Sequence, residues 1–273
     1  MTIFFCNNSH TSKIVSGILF FLFLINEGRA QAQKLNLEKW VFKLGFTMNR
    51  SSVIDKNFSL INYKGNGLGF NSTINFKSKY VEQEISFSYS SYQLKSKYQD
   101  KLDESYINGN YSSLFCLSNQ ANKGFKLLAG PNLSLIHNAR KYDGFLNNNN
   151  TFDFASSLGA TIEFSCGINK FMNGITLKNR IAMPFFSFVE QPIYGSEGFL
   201  FYSNNEEPVA KNMNAFVGPG KFFRVTNTFS IDKVLSQHHK IILAYLVDYY
   251  KISTIREVKR NNNSLVLSYG FIL

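Results

Sequence analysis

Cysteine and proline are scarce in this chain: its 273 residues hold three of the first and five of the second. So few thiols exclude a disulfide-built scaffold and a cysteine-rich metal protein. Charge is sparse as well, at 17% of residues. A chain poor in both charge and proline does not have the composition of a disordered one. The charge present is one-sided, with 29 Lys and Arg against 18 Asp and Glu, a formal excess of +11. Long apolar runs are missing too. The uncharged stretch Ile14–Ile25 has 12 residues, whereas a helix needs ~20 to cross ~30 Å of hydrocarbon. What is plentiful is aromatic: 28 Phe, 14 Tyr and a single Trp make up 16% of the chain.

The short apolar run has a simple reading. Lys13 precedes it and Ala30-Gln31-Ala32 follows it as a small-x-small cleavage site, the layout of a secretory signal rather than of a buried core helix. Residues 1–32 are therefore expected to be a signal peptide and 33–273 one mature domain, a length that all-β barrels reach without dividing. Cys6 lies before the run and so is not the first residue of the mature chain.

From there on, hydrophobicity repeats every second residue, the period of strands. Trp40, Phe42, Leu44, Phe46 and Met48 share one face and Val41, Lys43, Gly45 and Thr47 the other. The last segment alternates likewise, with Leu265, Leu267, Tyr269, Phe271 and Leu273 opposite Val266, Ser268, Gly270 and Ile272. In all, ten strands are expected, at 38–48, 66–76, 80–92, 105–117, 125–136, 152–166, 175–186, 221–231, 240–250 and 264–273. Short turns at 77–79, 118–124, 167–174 and 232–239 alternate with long polar loops at 49–64, 93–104, 137–151, 187–220 and 251–263. Strands of ~9–11 residues with short turns on one side and long loops on the other describe a transmembrane barrel. Pro131 and Pro184 fall within strands, where a missing N–H breaks a ladder bond, and a bulge is expected near Pro184. Phe199–Ser203 could add a hairpin, which would make twelve strands.

The second face is small and polar, as in Asn71, Thr73 and Asn75 or Ser86, Ser88 and Ser90. Short hydroxyls and amides suit a crowded hydrated lumen, which leaves the apolar face for lipid. Trp40, Phe42, Leu44, Phe87, Tyr245, Leu267, Tyr269 and Phe271 are the expected lipid-facing residues. The leader, the Phe- and Tyr-rich alternating strands and the terminal Ser264-Leu-Val-Leu-Ser-Tyr-Gly-Phe-Ile-Leu273 together resemble the small outer-membrane β-barrel proteins of Gram-negative bacteria, porin-like or OmpA-like. The Asn-, Lys- and Phe-rich composition is similar to that of barrels from Bacteroidota. The resemblance implies an antiparallel up-and-down barrel in the cell outer membrane, placed there by insertion machinery that reads an aromatic last residue. Leu273 departs from that pattern, although Tyr269 and Phe271 keep the alternation.

Away from the rims, the inward face carries Lys43, Lys126, Lys178, Arg180 and Arg224 against Glu82, Glu84, Asp153, Glu163 and Asp248. Unpaired charge in a confined space is costly, so these ten are expected to pair across the lumen and plug it. The alternative is a narrow porin-like channel for small solutes. The loop residues Arg140, Lys141, Arg256, Lys259 and Arg260 are candidates for contact with lipopolysaccharide phosphates. Phe199, Phe201, Tyr202 and Phe216 mark loop 187–220 as a contact surface.

Catalytic chemistry finds little support. The mature chain has only His137, His238 and His239. A hydrolytic group of His137 with Ser134, Asp143 and Asp153 would need Ser134 to leave the lumen face. The resemblance to ten-stranded outer-membrane proteases would place an Asp-x-His on one wall. Asp248-Tyr249-Tyr250 stands in a comparable position without the histidine. Cys116 and Cys166 face opposite sides of non-neighbouring strands and are not expected to form a disulfide. No enzyme, metal or cofactor is expected, and export makes a nucleic-acid partner implausible. A structural or surface-interaction role is the expected function, with an outer-membrane hydrolase the third reading.

Overall fold

The structure is a computed structural model that describes residues 39–56, 59–78, 80–120, 124–142, 150–168, 174–192, 212–254 and 257–273. The expected signal peptide, and Phe199, Phe201 and Tyr202, lie outside the described residues.

Alternation of bulky and small side chains favours extended chain. The strands it produces are β1 (Lys39–Asp55), β2 (Ser59–Lys77), β3 (Val81–Lys95), β4 (Lys101–Gln120), β5 (Phe125–Tyr142), β6 (Asn150–Gly167), β7 (Ile175–Pro192), β8 (Asn212–Val217), β9 (Phe222–Val234), β10 (His239–Ser253) and β11 (Glu257–Ile272). Each of β1 to β7 pairs antiparallel with its successor in sequence, and β11 returns to β1 with Phe42 opposite Phe271 and Met48 opposite Leu265. β8 and β9 share one place in the wall. β8 lies against Ser187–Pro192 of β7, and Thr226–Lys233 of β9 lies against Ile175–Ala182. The barrel is thus closed with ten staves, and β8 extends a stave without adding one, so the twelve-strand alternative is set aside.

Both expected proline effects are present. At Pro184 the β6–β7 register shifts: Gly159 faces Pro184 and Leu158 faces Phe186, which leaves Phe185 as the extra residue of a bulge. At Pro131 the ladder to β4 skips, passing from Ser112 opposite Asn132 to Phe115 opposite Ala129.

The long loops are a correction. The strands continue well past the expected ends, so that 49–64 shrinks to the three residues between Asp55 and Ser59 and 251–263 to the three between Ser253 and Glu257. The cause is a reversal of polarity that keeps the period of two. On β1 the outward side chains Trp40, Phe42, Leu44, Phe46 and Met48 are followed by Arg50 and Ser52, while the inward Thr47, Asn49 and Ser51 are followed by Val53. On β3 the outward Phe87 and Tyr89 give way to Ser91, Gln93 and Lys95 as the inward Ser86, Ser88 and Ser90 give way to Tyr92 and Leu94. An apolar outer belt therefore encircles the end of the barrel that carries the short turns. At the other end the outside is polar and the inside apolar, with Val53, Leu102, Ile252 and Val258 fully buried.

That upper cluster, completed by Leu94, Ile136, Val189 and Phe222, is a packed core of the kind found in a water-soluble barrel. Leu102→Ala is expected to cost about 2–5 kcal/mol in urea unfolding, the range for a buried leucine that leaves a cavity. Leu60→Ala, on the outer face and 79% exposed, should change stability by less than about 0.5 kcal/mol.

Candidate functional site: the lumen

Parity decides what enters the lumen. All ten of the charges read from the sequence point inward. Lys43, Lys126, Lys178, Arg180, Glu82, Glu84 and Glu163 stand in the lower, short-turn half, and Asp153, Arg224 and Asp248 in the upper. Lys43 meets Glu84 at 3.1 Å, Lys126 meets Glu82 at 2.6 Å and Arg180 reaches Glu163 at 2.5 Å as well as Glu84. Three further groups, Lys77, Asp232 and Lys240, join them: Lys77 meets Glu82 at 3.0 Å, and Asp232 receives Lys178 at 3.1 Å and Lys240 at 3.6 Å. The lower layer thus has six cations, Lys43, Lys77, Lys126, Lys178, Arg180 and Lys240, for the four carboxylates Glu82, Glu84, Glu163 and Asp232.

Above this layer lies a chamber of about 230 Å³. Its walls are the short polar side chains of the middle registers, such as Asn71, Thr73, Ser88, Asn110, Thr226 and Thr228. Roof and chamber meet at Arg224, whose Nε and Nη2 donate to the two oxygens of Asp248 at 2.9 and 3.0 Å. The Tyr106 hydroxyl donates to the same carboxylate at 2.6 Å.

Higher still are two arginines that the sequence had appeared to put in loops. Arg260 is fully buried, donates from Nε to Glu104 at 3.0 Å, and holds its guanidinium 3.8 Å from the ring centre of Tyr106. Arg140 reaches Asp153 at 2.5 Å and Asp55 at 3.3 Å. Asn138 and Tyr250 join the two pairs: the Asn138 amide donates to Glu104 at 2.7 Å and to the Tyr250 hydroxyl at 2.8 Å, and Tyr250 donates to Asp153 at 3.1 Å. Neither Arg140 nor Arg260 is therefore open to a lipopolysaccharide phosphate, which corrects that expectation. The signal for both was present, since Asn132, Ser134, Asn138 and Arg140 keep one parity, as do Ser264, Asn262 and Arg260.

The other basic candidates remain outside. Lys141 is exposed, Lys259 pairs with Glu257 at 3.0 Å, and Arg256 lies outside the described residues. Glu257 also receives Lys251 at 2.8 Å and Lys56 at 2.9 Å. Hydrogen bonds from these three ammonium groups, that of Lys251 foremost, hold its carboxyl well below the usual carboxylate range. Phe216 on β8 is 87% exposed and makes an edge contact with Phe188 at 5.2 Å. The residues named for lipid contact are all on the outer face, from Trp40 at 36% exposed to Leu44 at 69%.

The hydrolytic grouping does not assemble. His137 points outward and stacks on Phe152 at 6.0 Å, whereas Ser134 and Asp153 point inward, so the wall separates them, and Asp143 lies outside the described residues. His238 and His239 sit at the short-turn end, against the Ile272 carbonyl and the Tyr269 hydroxyl. Asp248 is engaged by Arg224 and Tyr106. Cys116 and Cys166 are free.

No family model matches the chain, and no curated protein matches it by sequence. Among solved structures, the outer-membrane protease OmpT of Escherichia coli is similar at 7% identity and a TM-score of 0.51, over 86% of this chain and 96% of its own. Neisserial surface protein A (NspA) covers 84% of this chain and 96% of its own at 10% identity, with a TM-score of 0.37. Ail, the attachment invasion locus protein of Yersinia pestis, covers 86% and 98% at 8% identity, with a TM-score of 0.34. At these identities OmpT shares a fold with this chain, and its chemistry does not transfer.

Breaking a buried pair leaves a bare charge. Glu104→Gln, which strands Arg260, is expected to lower stability by about 3–5 kcal/mol in urea titration. The exposed Glu257 cluster should respond to pH instead. Its carboxyl titrates low when folded, so its contribution is present above the unfolded carboxylate value and fades as pH falls toward the folded one. Lys251→Met should move that titration upward, as read by NMR of the Glu257 side chain.

Proposed function

We propose that this chain is an integral outer-membrane barrel, sealed at its outer end by its own side chains, that serves as a wall element and a surface for contacts. The observation that carries this reading is the polarity reversal along the strands. The apolar outer belt runs from Trp40 to Met48 on β1 and from Leu265 to Phe271 on β11, close to the ~9–11 residues a tilted strand needs to cross a bilayer. A closed ladder suits that setting, because hydrocarbon offers no partner to a free backbone N–H or C=O. Beyond the belt, a buried apolar cluster and the Arg140, Arg224 and Arg260 pairs occupy the lumen. Barrels near this size have interiors that side chains can fill, whereas open aqueous channels need ~16 strands.

Outside, just above the belt, Lys64, Lys95 and Lys101 stand side by side, since Lys64 pairs in register with Lys95 and Lys95 with Lys101. All three are exposed and have no salt bridge among the described residues. Like charges directly opposite each other destabilise a sheet, so this row favours a polyanionic partner at headgroup height. It takes the place of Arg140 and Arg260 as the lipopolysaccharide contact, through charge-assisted bonds to phosphate. The insertion machinery is a partner during biogenesis.

Two measurements test the reading. In planar bilayers the reconstituted protein should show no steady single-channel conductance; an ohmic pore would favour the narrow channel instead. Leu267→Arg on the belt should cost about 2–4 kcal/mol of folding free energy in lipid vesicles, and Asn261→Arg, higher on the same face of β11, about 0–1 kcal/mol.

A further inference from the structure

Where the outer face passes from apolar to polar, five neighbouring strands shape a shallow trough. Its floor is a register row of small side chains, with Ser91 on β3 opposite Ser105 on β4 and Ser105 opposite Ala139 on β5. Leu68 on β2 and Phe152 on β6 stand next in the same row and close its two ends. The row below is bulky: Tyr89 faces Ile107, and Ile107 faces His137, whose ring stacks on Phe152. The row above is polar, with Gln93 opposite Asp103, Asp103 opposite Lys141 and Lys141 opposite Asn150. The Cα atoms of these two walls are four residues apart along each strand, a separation of about 13 Å at ~3.3 Å per residue. A hollow of about 630 Å³ lies on this part of the barrel. Tyr92, Glu104 and Arg140, which point the other way, are buried, so the hollow opens outward.

Three properties of the trough describe what would fit it. Its lower wall continues the belt, since Tyr89 follows Ile85 and Phe87 on the outer face of β3, so an acyl chain can run down from it. Its upper wall pairs with hydroxyl groups. The exposed amides of Gln93 and Asn150 both donate and accept, as a hydroxyl does, and the exposed Asp103 carboxylate accepts. Around that wall charge is positive. Lys141 belongs to it, and Lys95 and Lys101 stand one row higher, opposite each other. These three ammonium groups and Asp103 have no salt bridge among the described residues, and an excess of cations suits phosphate. A simple phospholipid head would satisfy the lysines and leave the amides and Asp103 facing a phosphate with no hydroxyl to bond. A head that carries both phosphate and sugar hydroxyls answers all of them.

We infer that the trough over β3, β4 and β5 seats the phosphorylated sugar head of a membrane glycolipid. Its hydroxyls meet Gln93, Asp103 and Asn150, its phosphate meets Lys95, Lys101 and Lys141, and its acyl chains lie along the belt below. The inference rests on the membrane-spanning reading and on the lysine row of the preceding section, and it adds a shaped seat that distinguishes a sugar head from negative charge alone.

The test places the protein in phosphatidylcholine nanodiscs and compares, by native mass spectrometry, retention of lipid A, an acylated bisphosphorylated glucosamine disaccharide, with retention of phosphatidylglycerol, which is anionic and has no sugar. Lipid A should be retained with about tenfold higher affinity, a ratio equal to ~1.4 kcal/mol. Ser105→Trp, which fills the floor, should remove that preference and leave phosphatidylglycerol unchanged. The paired change Gln93→Ala with Asn150→Ala, on two exposed side chains, should do the same without altering the floor. Lys64→Met, outside the trough, should weaken both lipids alike. Heat-modifiable migration on gels reports the folding of each variant. Equal retention of the two lipids overturns the sugar seat, and so does a preference that survives both trough variants; the lysine row stands in either case. Binding of the deacylated disaccharide as tight as that of lipid A overturns the role of the belt. If the protein does not enter nanodiscs, the membrane reading falls and this inference with it.

Discussion

A strand that must pair its backbone on both sides can vary only in what its alternate side chains offer inward and outward. The closed ladder imposes this constraint on the described strands, because β11 returns to β1 and nearly every residue is given one of two directions. Within it, this protein arranges two solvents in sequence. Next to the short turns it keeps apolar groups outside and polar groups inside, and further up it exchanges them. Val53 and Arg50, three residues apart on β1, face opposite ways from their counterparts of like polarity in the belt.

Burial at the upper end then determines how its charges behave. Arg140, Arg224 and Arg260 are withdrawn from water, so each needs a carboxylate close by, and each has one in Asp153, Asp248 and Glu104. Such pairs add little net stability, because desolvation offsets most of the attraction. They do make the arrangement specific, since any repacking that moves Glu104 leaves Arg260 bare. The lower layer is half-open and shares its carboxylates more loosely, with Asp232 between Lys178 and Lys240 and Glu82 between Lys77 and Lys126.

Among the described residues the longest lapse in the ladder is at the stave divided between β8 and β9. Pro184 removes a donor and Phe185 adds a residue, and the ladder of β7 lapses over Met183–Phe186 on the side away from β6.

Much of this is legible along the chain. Period-2 alternation marks all ten staves, the parity of Lys43, Glu84, Arg180 and Asp248 points them inward, and Pro184 announces the bulge. The upper reach of the strands was hidden because the reading followed the polarity of one face, and at Arg50, Ser91 and Asn263 that polarity reverses while the period continues. Arg140 and Arg260 looked like loop charges for the same reason. The sequence by itself determines which side chains share a face, because the backbone alternates regardless of what surrounds it. Only the tertiary structure decides which medium each face meets at each height, which carboxylate each buried arginine takes, and where β7 loses its neighbour. Those outcomes depend on register between strands distant in the chain, and register is set when the barrel closes.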